Sequence, residues 1–105
     1  RYKWLILVPR RIEIREIHHL NPKDQQLLLA EITKAAEILE KEFQPTKINI
    51  GAIGNIVPQL HIHIIARNIS DPAWPNPVWG HSPPIKYPKN ITKKISKKIV
   101  DSFNA

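Results

Sequence analysis

The period of the apolar positions changes along this chain, from continuous runs to steps of three and four to strict alternation, and each change marks an element. Tyr2 to Val8 is a run of bulky and branched residues stopped by Pro9, and it reads as a strand buried on both faces. Pro9-Arg10-Arg11 turns the chain, after which Ile12, Ile14 and Arg15 form a second strand or an extended loop. His18-His19-Leu20 leads into Asn21-Pro22-Lys23-Asp24, where Asn can cap a helix, Pro suits its first position and an acidic residue follows in the first turn. Leu28, Ile32, Ala35, Leu39 and Phe43 then recur at helical steps, with Glu31, Lys34, Glu40 and Lys41 mostly off that stripe. The spacing predicts a helix from Pro22 to Phe43, ended by Gln44-Pro45.

Beyond it, Lys47 to Ile53 alternates as a strand, with Gly51 and Gly54 bracketing its end as points where the backbone turns sharply or approaches a ligand. Gly54-Asn55-Ile56-Val57-Pro58 connects it to Gln59-Leu60-His61-Ile62-His63-Ile64-Ile65-Ala66, whose strict alternation predicts a strand. A link this short predicts an antiparallel pair. Gln59, His61, His63 and Ile65 share one face of the second strand; Leu60, Ile62, Ile64 and Ala66 share the other, wholly apolar one. After Arg67 the composition shifts to Trp and Pro: Asp71-Pro72-Ala73-Trp74-Pro75-Asn76-Pro77-Val78-Trp79-Gly80, then Pro83-Pro84 and Pro88. Prolines restrict such a segment and tryptophans give it large apolar faces, so it is expected to wrap over the domain or across a partner subunit. Trp74 and Trp79 then pack in a core, cover a ligand or seal a dimer. Asn90 caps a last helix, Ile91 to Phe103, with Ile91, Ile95, Ile99 and Phe103 opposite Lys93, Lys94, Lys97 and Lys98.

The 105 residues are expected to form a single α+β domain: a core with the histidine motif over residues 1–67, a Trp/Pro-rich tail over 68–89 and the C-terminal helix over 90–105. Sixteen Lys and Arg against nine Asp and Glu give a net charge of +7, which attracts phosphate-bearing ligands. The lysine face of the last helix matches the wet side of an amphipathic helix better than a nucleic-acid surface, and no stacking platform for single strands accompanies it. The absence of cysteine excludes disulfides and thiolate metal sites. No apolar run approaches the roughly 18 residues of a membrane span. A cytoplasmic protein is the expectation, with the chain beginning at Arg1 rather than Met and a preceding segment left open.

The chemistry centres on His61 and His63, two residues apart on one strand face and therefore about 6 to 7 Å apart along it. Three readings of the pair stand side by side. They are half-buried imidazoles hydrogen-bonded to backbone; or metal ligands, for which a third ligand at recognisable spacing is missing; or a nucleophile and its assistant in chemistry on phosphorus. Arg10, Arg11 and Arg67 read as solvated surface rather than phosphate ligands.

Gln59 to Ile65 resembles the signature of the histidine triad (HIT) superfamily, His-φ-His-φ-His-φ-φ with φ apolar, with Gln59 in the first His position. The resemblance extends over Gly54 to Pro58, Asn49 and the early strand ending at Val8-Pro9, roughly residues 2 to 67. The tail from Asp71 to Gly80 is similar to that of a bacterial subgroup with the Gln-first motif, described as resembling diadenosine tetraphosphate hydrolases. The resemblance implies an antiparallel sheet of about five strands with one long helix and a C-terminal helix, a homodimer, and a purine nucleotide bound over the histidine strand. It implies a nucleotide hydrolase or nucleotidyl transferase acting at the α-phosphate of a phosphoramidate or dinucleoside polyphosphate, with no cofactor or metal. His61 would be the nucleophile forming a nucleotidyl-histidine and His63 would assist the leaving group. Gln59, Asn55 and Asn49 would position the substrate, although Asn in a turn also bonds its own backbone. Trp4 departs from relatives that often carry a His near the leaving group; an indole is no general acid, but it can stack on a base or line the pocket. Two other functions stay open: a nucleotide-binding or sensing protein with little turnover, motivated by Gln59 and Trp4, and a metal-binding domain using His61 and His63.

Overall fold

The computed structural model describes residues 2–80. Its order of elements is a strand β1 (Lys3–Leu7), one turn of 3-10 helix (Ile17–His19), a helix α1 (Pro22–Phe43), and strands β2 (Lys47–Gly51) and β3 (Ile62–Arg67). The predicted C-terminal helix and the prolines after Gly80 lie outside the described residues. Among the described residues the sheet has three of the five or so expected strands, in the order β1-β3-β2 and antiparallel throughout.

Helix α1 has the predicted bounds, and its ends show why. The Asn21 side chain accepts the Asp24 backbone N–H at 2.8 Å, and Pro22 takes the first helical position, where no intrahelical partner for an N–H is needed. At the other end Gln44 adopts a left-handed conformation, φ 46°, and returns its N–H to Glu40 before Pro45 stops the helix. Leu28, Ala35 and Leu39 are buried against Leu60, Ile62, Ile64 and Ala66, with Ile32, Phe43, Leu5 and Ile48 closing the margin. The alternation of the histidine strand thus sends its apolar set to the helix, as expected. Truncating a residue as enclosed as Leu39 to Ala costs about 2 to 5 kcal/mol.

The sheet departs from the expectations in two places. β1 is not buried on both faces: Ile6 is 55% exposed, because β1 pairs only with β3 among the described residues. The strand buried on both faces is central β3, all six of whose residues are buried. The histidine strand begins at Ile62 rather than Gln59, since Leu60 gives its N–H to Ile14 and this cross-chain bond replaces a ladder bond. Of the two alternatives for Ile12 to Arg15, strand or loop, the loop is found, with Ile12 and Glu13 in a turn where Glu13 takes φ 59°.

As far as Gly80, the tail wraps over the domain. Ala73 and Val78 are buried against Ile65, and with Tyr2, Trp4 and Trp79 they form a small second core on the sheet face opposite α1. This face carries the histidines.

Candidate functional site

β3 passes between β1 and β2 with His63 opposite Ile6 on one side and Gly51 on the other. The missing side chain at Gly51 makes room for Trp79, whose Cη2 lies 3.0 Å from where a Cβ would stand. Trp79 therefore reaches His63, with ring centroids 5.7 Å apart and nearly perpendicular. His61 lies just before β3, and its ring meets that of His63 at a centroid distance of 5.0 Å, so the two predicted site histidines are together.

Each imidazole has one nitrogen assigned by its neighbour. The Gln59 carbonyl lies 2.7 Å from His61 Nδ1 and can only accept, so His61 Nδ1 carries the hydrogen and Nε2 keeps its lone pair. At His63 the polarity is reversed: the indole Nε1–H of Trp4 donates to Nδ1 at 2.9 Å, so the neutral ring carries its hydrogen on Nε2. One ring offers a lone pair and its neighbour offers an N–H. Burial lowers the pKa of His63 below the usual imidazole value, and the charge of His61 lowers it further.

The remaining predicted residues are less tightly grouped. Gln59 supplies the carbonyl that orients His61, while its side-chain amide donates to the Arg11 carbonyl at 3.2 Å and reaches that of Pro9 at 3.5 Å, tying the loop after β1 to the motif. Asn49 lies on the histidine face of β2, but its Oδ1 accepts from Arg67 at 2.7 Å. Asn55 is exposed on the loop after β2, where Gly54 at φ 62° makes the turn beneath His61. Trp4 faces His63, an arrangement not anticipated from its size alone.

Arg67 overturns the expectation of a solvated arginine. It is 1% exposed, and its guanidinium is consumed by Asp71 through two bonds of 2.7 and 3.0 Å, by Asn49, and by the Asn76 carbonyl at 2.8 Å. Asp71 in turn accepts from the backbone N–H groups of Asn68, Ala73 and Trp74. Its carboxyl is held at about 2, first by the Arg67 hydrogen bonds. This network anchors the tail that delivers Trp79 to the site. Asp71-Pro72 was the one legible signal for it, since Asp before Pro favours a turn. Arg11 is exposed and pairs with Asp24 on the far side of that loop. Among the described residues no three His, Asp or Glu side chains are grouped to hold a metal ion.

Comparison with known proteins gives a consistent picture. The HIT domain family model matches residues 1–69. The bis(5'-nucleosyl)-tetraphosphatase (asymmetrical) of Schizosaccharomyces pombe is 29% identical over 72 residues, which cover 64% of this chain and 39% of that protein. The chain thus spans about two fifths of that relative's length. Among solved structures, a histidine triad protein of Sinorhizobium meliloti 1021 is similar with a TM-score of 0.93 at 44% identity, covering 96% of this chain and 75% of that one. A histidine triad protein of Bradyrhizobium japonicum gives a TM-score of 0.93 at 40% identity with the same coverage. One from Marinobacter aquaeolei VT8 gives 0.92 at 44%, covering 96% of this chain and 74% of that one.

Proposed function

The chain belongs to the HIT domain family, matched over residues 1–69, and on that footing we propose that it is a nucleotide hydrolase or nucleotidyl transferase working through a nucleotidyl-histidine on His61. The observation that carries the reading is the hydrogen bond from His61 Nδ1 to the Gln59 carbonyl, 2.7 Å, which leaves the Nε2 lone pair free beside the N–H of His63. A nucleophile held in its reactive tautomer by a backbone carbonyl needs no general base.

In the reaction so read, His61 Nε2 attacks the α-phosphorus of a purine nucleotide; a P–N bond forms and the bond to the leaving group breaks. His63 Nε2–H donates to an oxygen at the reacting phosphate or the departing group. Water or another acceptor then attacks phosphorus, the P–N electron pair returns to His61 Nε2, and the proton of the attacking group passes to solvent. Gln59 holds His61 through its carbonyl, and Asn49 and Asn55 border the nucleotide. The substrate is read as a dinucleoside polyphosphate or a nucleoside phosphoramidate, the protein as a cytoplasmic homodimer.

Intact-protein mass spectrometry after brief mixing with a diadenosine polyphosphate tests this. The expected result is one nucleoside monophosphate on the protein, accumulating in His63→Ala and never appearing in His61→Ala. Nucleotide binding by calorimetry with neither adduct nor product in any variant overturns the reading in favour of a binding or sensing protein.

A further inference from the structure

We propose that Trp4 is a positioning residue that clamps His63 as the neutral Nε2–H tautomer, and that the site therefore favours nucleotide substrates whose leaving group departs as a phosphate or polyphosphate anion over those that release an amine. The second half rests on the function proposed above. The first half stands on geometry alone.

An indole N–H can only donate. At 2.9 Å from His63 Nδ1 it requires a lone pair there, so the ring hydrogen sits on Nε2. Forming the imidazolium would put a second hydrogen between Nδ1 and Nε1, replacing a hydrogen bond by two facing donors. Trp4 has little freedom to turn away: it is paired with Ile65 in the ladder and held edge-on between Tyr2, at 6.5 Å, and Trp79, at 6.3 Å. The groups facing His63 come from every side. β1 presents Trp4 and Ile6, β2 presents Gly51, the tail presents Trp79, and the chain just before β3 presents His61. His61 is the titratable group among these, and its protonation opposes a second positive charge next to it. Burial of His63 acts in the same direction.

His63 is thus built to donate a hydrogen bond without surrendering a proton, because loss of the Nε2 hydrogen from a neutral ring would leave an anion. The consequence falls on the bond broken when His61 Nε2 attacks. As the P–N bond forms, the P–O bond to the leaving group breaks and its electron pair stays on the departing oxygen. A phosphate oxygen carries that pair as a stable anion, since its second pKa is about 6, and accepts the His63 hydrogen bond. An alkylamine, with a pKa of about 10, must gain a proton as the P–N bond to it breaks, and His63 has none to give. Water then attacks the phosphorus, the P–N pair returns to His61, and the proton of the water passes to solvent.

Two measurements on the full chain test the two halves. In nitrogen-15 NMR of the histidine rings between pH 5 and 8, His63 is expected to show a lone pair on Nδ1 and a hydrogen on Nε2. Its titration midpoint should rise in Trp4→Phe, which removes the N–H while keeping a ring. A hydrogen on Nδ1 in the wild type, or a midpoint that Trp4→Phe leaves unmoved, overturns the clamp, and the wild-type spectrum alone decides the tautomer if the variant folds poorly. In kinetics, the wild-type kcat/KM for diadenosine tetraphosphate is expected to exceed that for an adenosine alkylphosphoramidate by about 100-fold, the scale of a missing general acid. Trp4→Phe should narrow this gap about tenfold and add an acid-dependent limb to the phosphoramidate pH profile. Equal rates for both substrates with an adduct on His61 overturn the leaving-group preference while leaving the proposed function intact. Turnover of neither, with the NMR signature present, overturns function and preference together and leaves the clamp standing.

Discussion

Gly51 is a residue whose importance lies in what it omits. It pairs directly with His63 across β2 and β3, and a methyl group there would stand 3.0 Å from Cη2 and 3.3 Å from Cζ2 of Trp79. An indole cannot bend aside as a flexible side chain can, so either Trp79 or the strand must move. Gly51→Ala is expected to lower stability by about 1 to 3 kcal/mol, the range for overpacking, and to change the tryptophan fluorescence. Thermal denaturation checks it, and an unchanged melt with unchanged emission would show that Trp79 has room to spare. His61 and His63 show the same economy at the level of single atoms: a carbonyl on one ring and an indole N–H on the other give two identical side chains opposite tautomers.

At the scale of elements, the segment after β3 behaves as a strap tied by one buried ion pair. Arg67 sits on the last position of β3 with its guanidinium filled by Asp71, Asn49 and Asn76, and Asp71 also caps the turn that starts the strap. Asp71→Asn strands a buried cation, so unfolding in urea is expected to show a loss of about 3 kcal/mol. The pH dependence has a definite sign. The carboxyl is lowered from the ordinary 3.8 to about 2, so the stabilisation is complete above 3.8 and is lost as pH falls toward 2. The wild type should lose stability across that interval, and Asp71→Asn should flatten this limb of the acid titration. A variant as stable as the wild type would mean that the strap is held by Ala73 and Val78 alone.

At the scale of the molecule, a net charge of +7 acts on a ligand before any contact forms. Anionic substrates gain in encounter rate, and the gain shrinks as the screening length falls from about 30 Å at 0.01 M salt to about 8 Å at 0.15 M. The kcat/KM for a dinucleoside polyphosphate is therefore expected to drop severalfold over that range of salt, with kcat little changed. A steady kcat/KM would confine the role of the charge to the surface. The same chain leaves Ile6, Val8, Ile12, Ile56 and Val57 more than half exposed on β1 and the flanking loops, so burial is concentrated on β3 rather than shared among strands.

Features that depend on near neighbours are written locally in the chain. Asn21, Pro22 and Gln44-Pro45 delimit α1 because capping and proline geometry act within a turn, and the period of Leu28, Ala35 and Leu39 orients it. Alternation from Leu60 to Ala66 separates the helix-facing residues from those facing the site because side chains on an extended backbone must take opposite sides, and Gly54 marks its turn. The histidine pair was legible for the same reason. Other features arise only when residues far apart in the chain are brought together. Strand order put β3 in the middle and β1 outside it among the described residues, which reversed the expected burial of β1. It also enclosed Arg67, which on a basic chain looks like surface until Asp71, Asn49 and Asn76 surround it. The tautomer of His63 was beyond reach of any local pattern, because its partner Trp4 stands 59 positions away and meets it only through the pairing of β1 with β3.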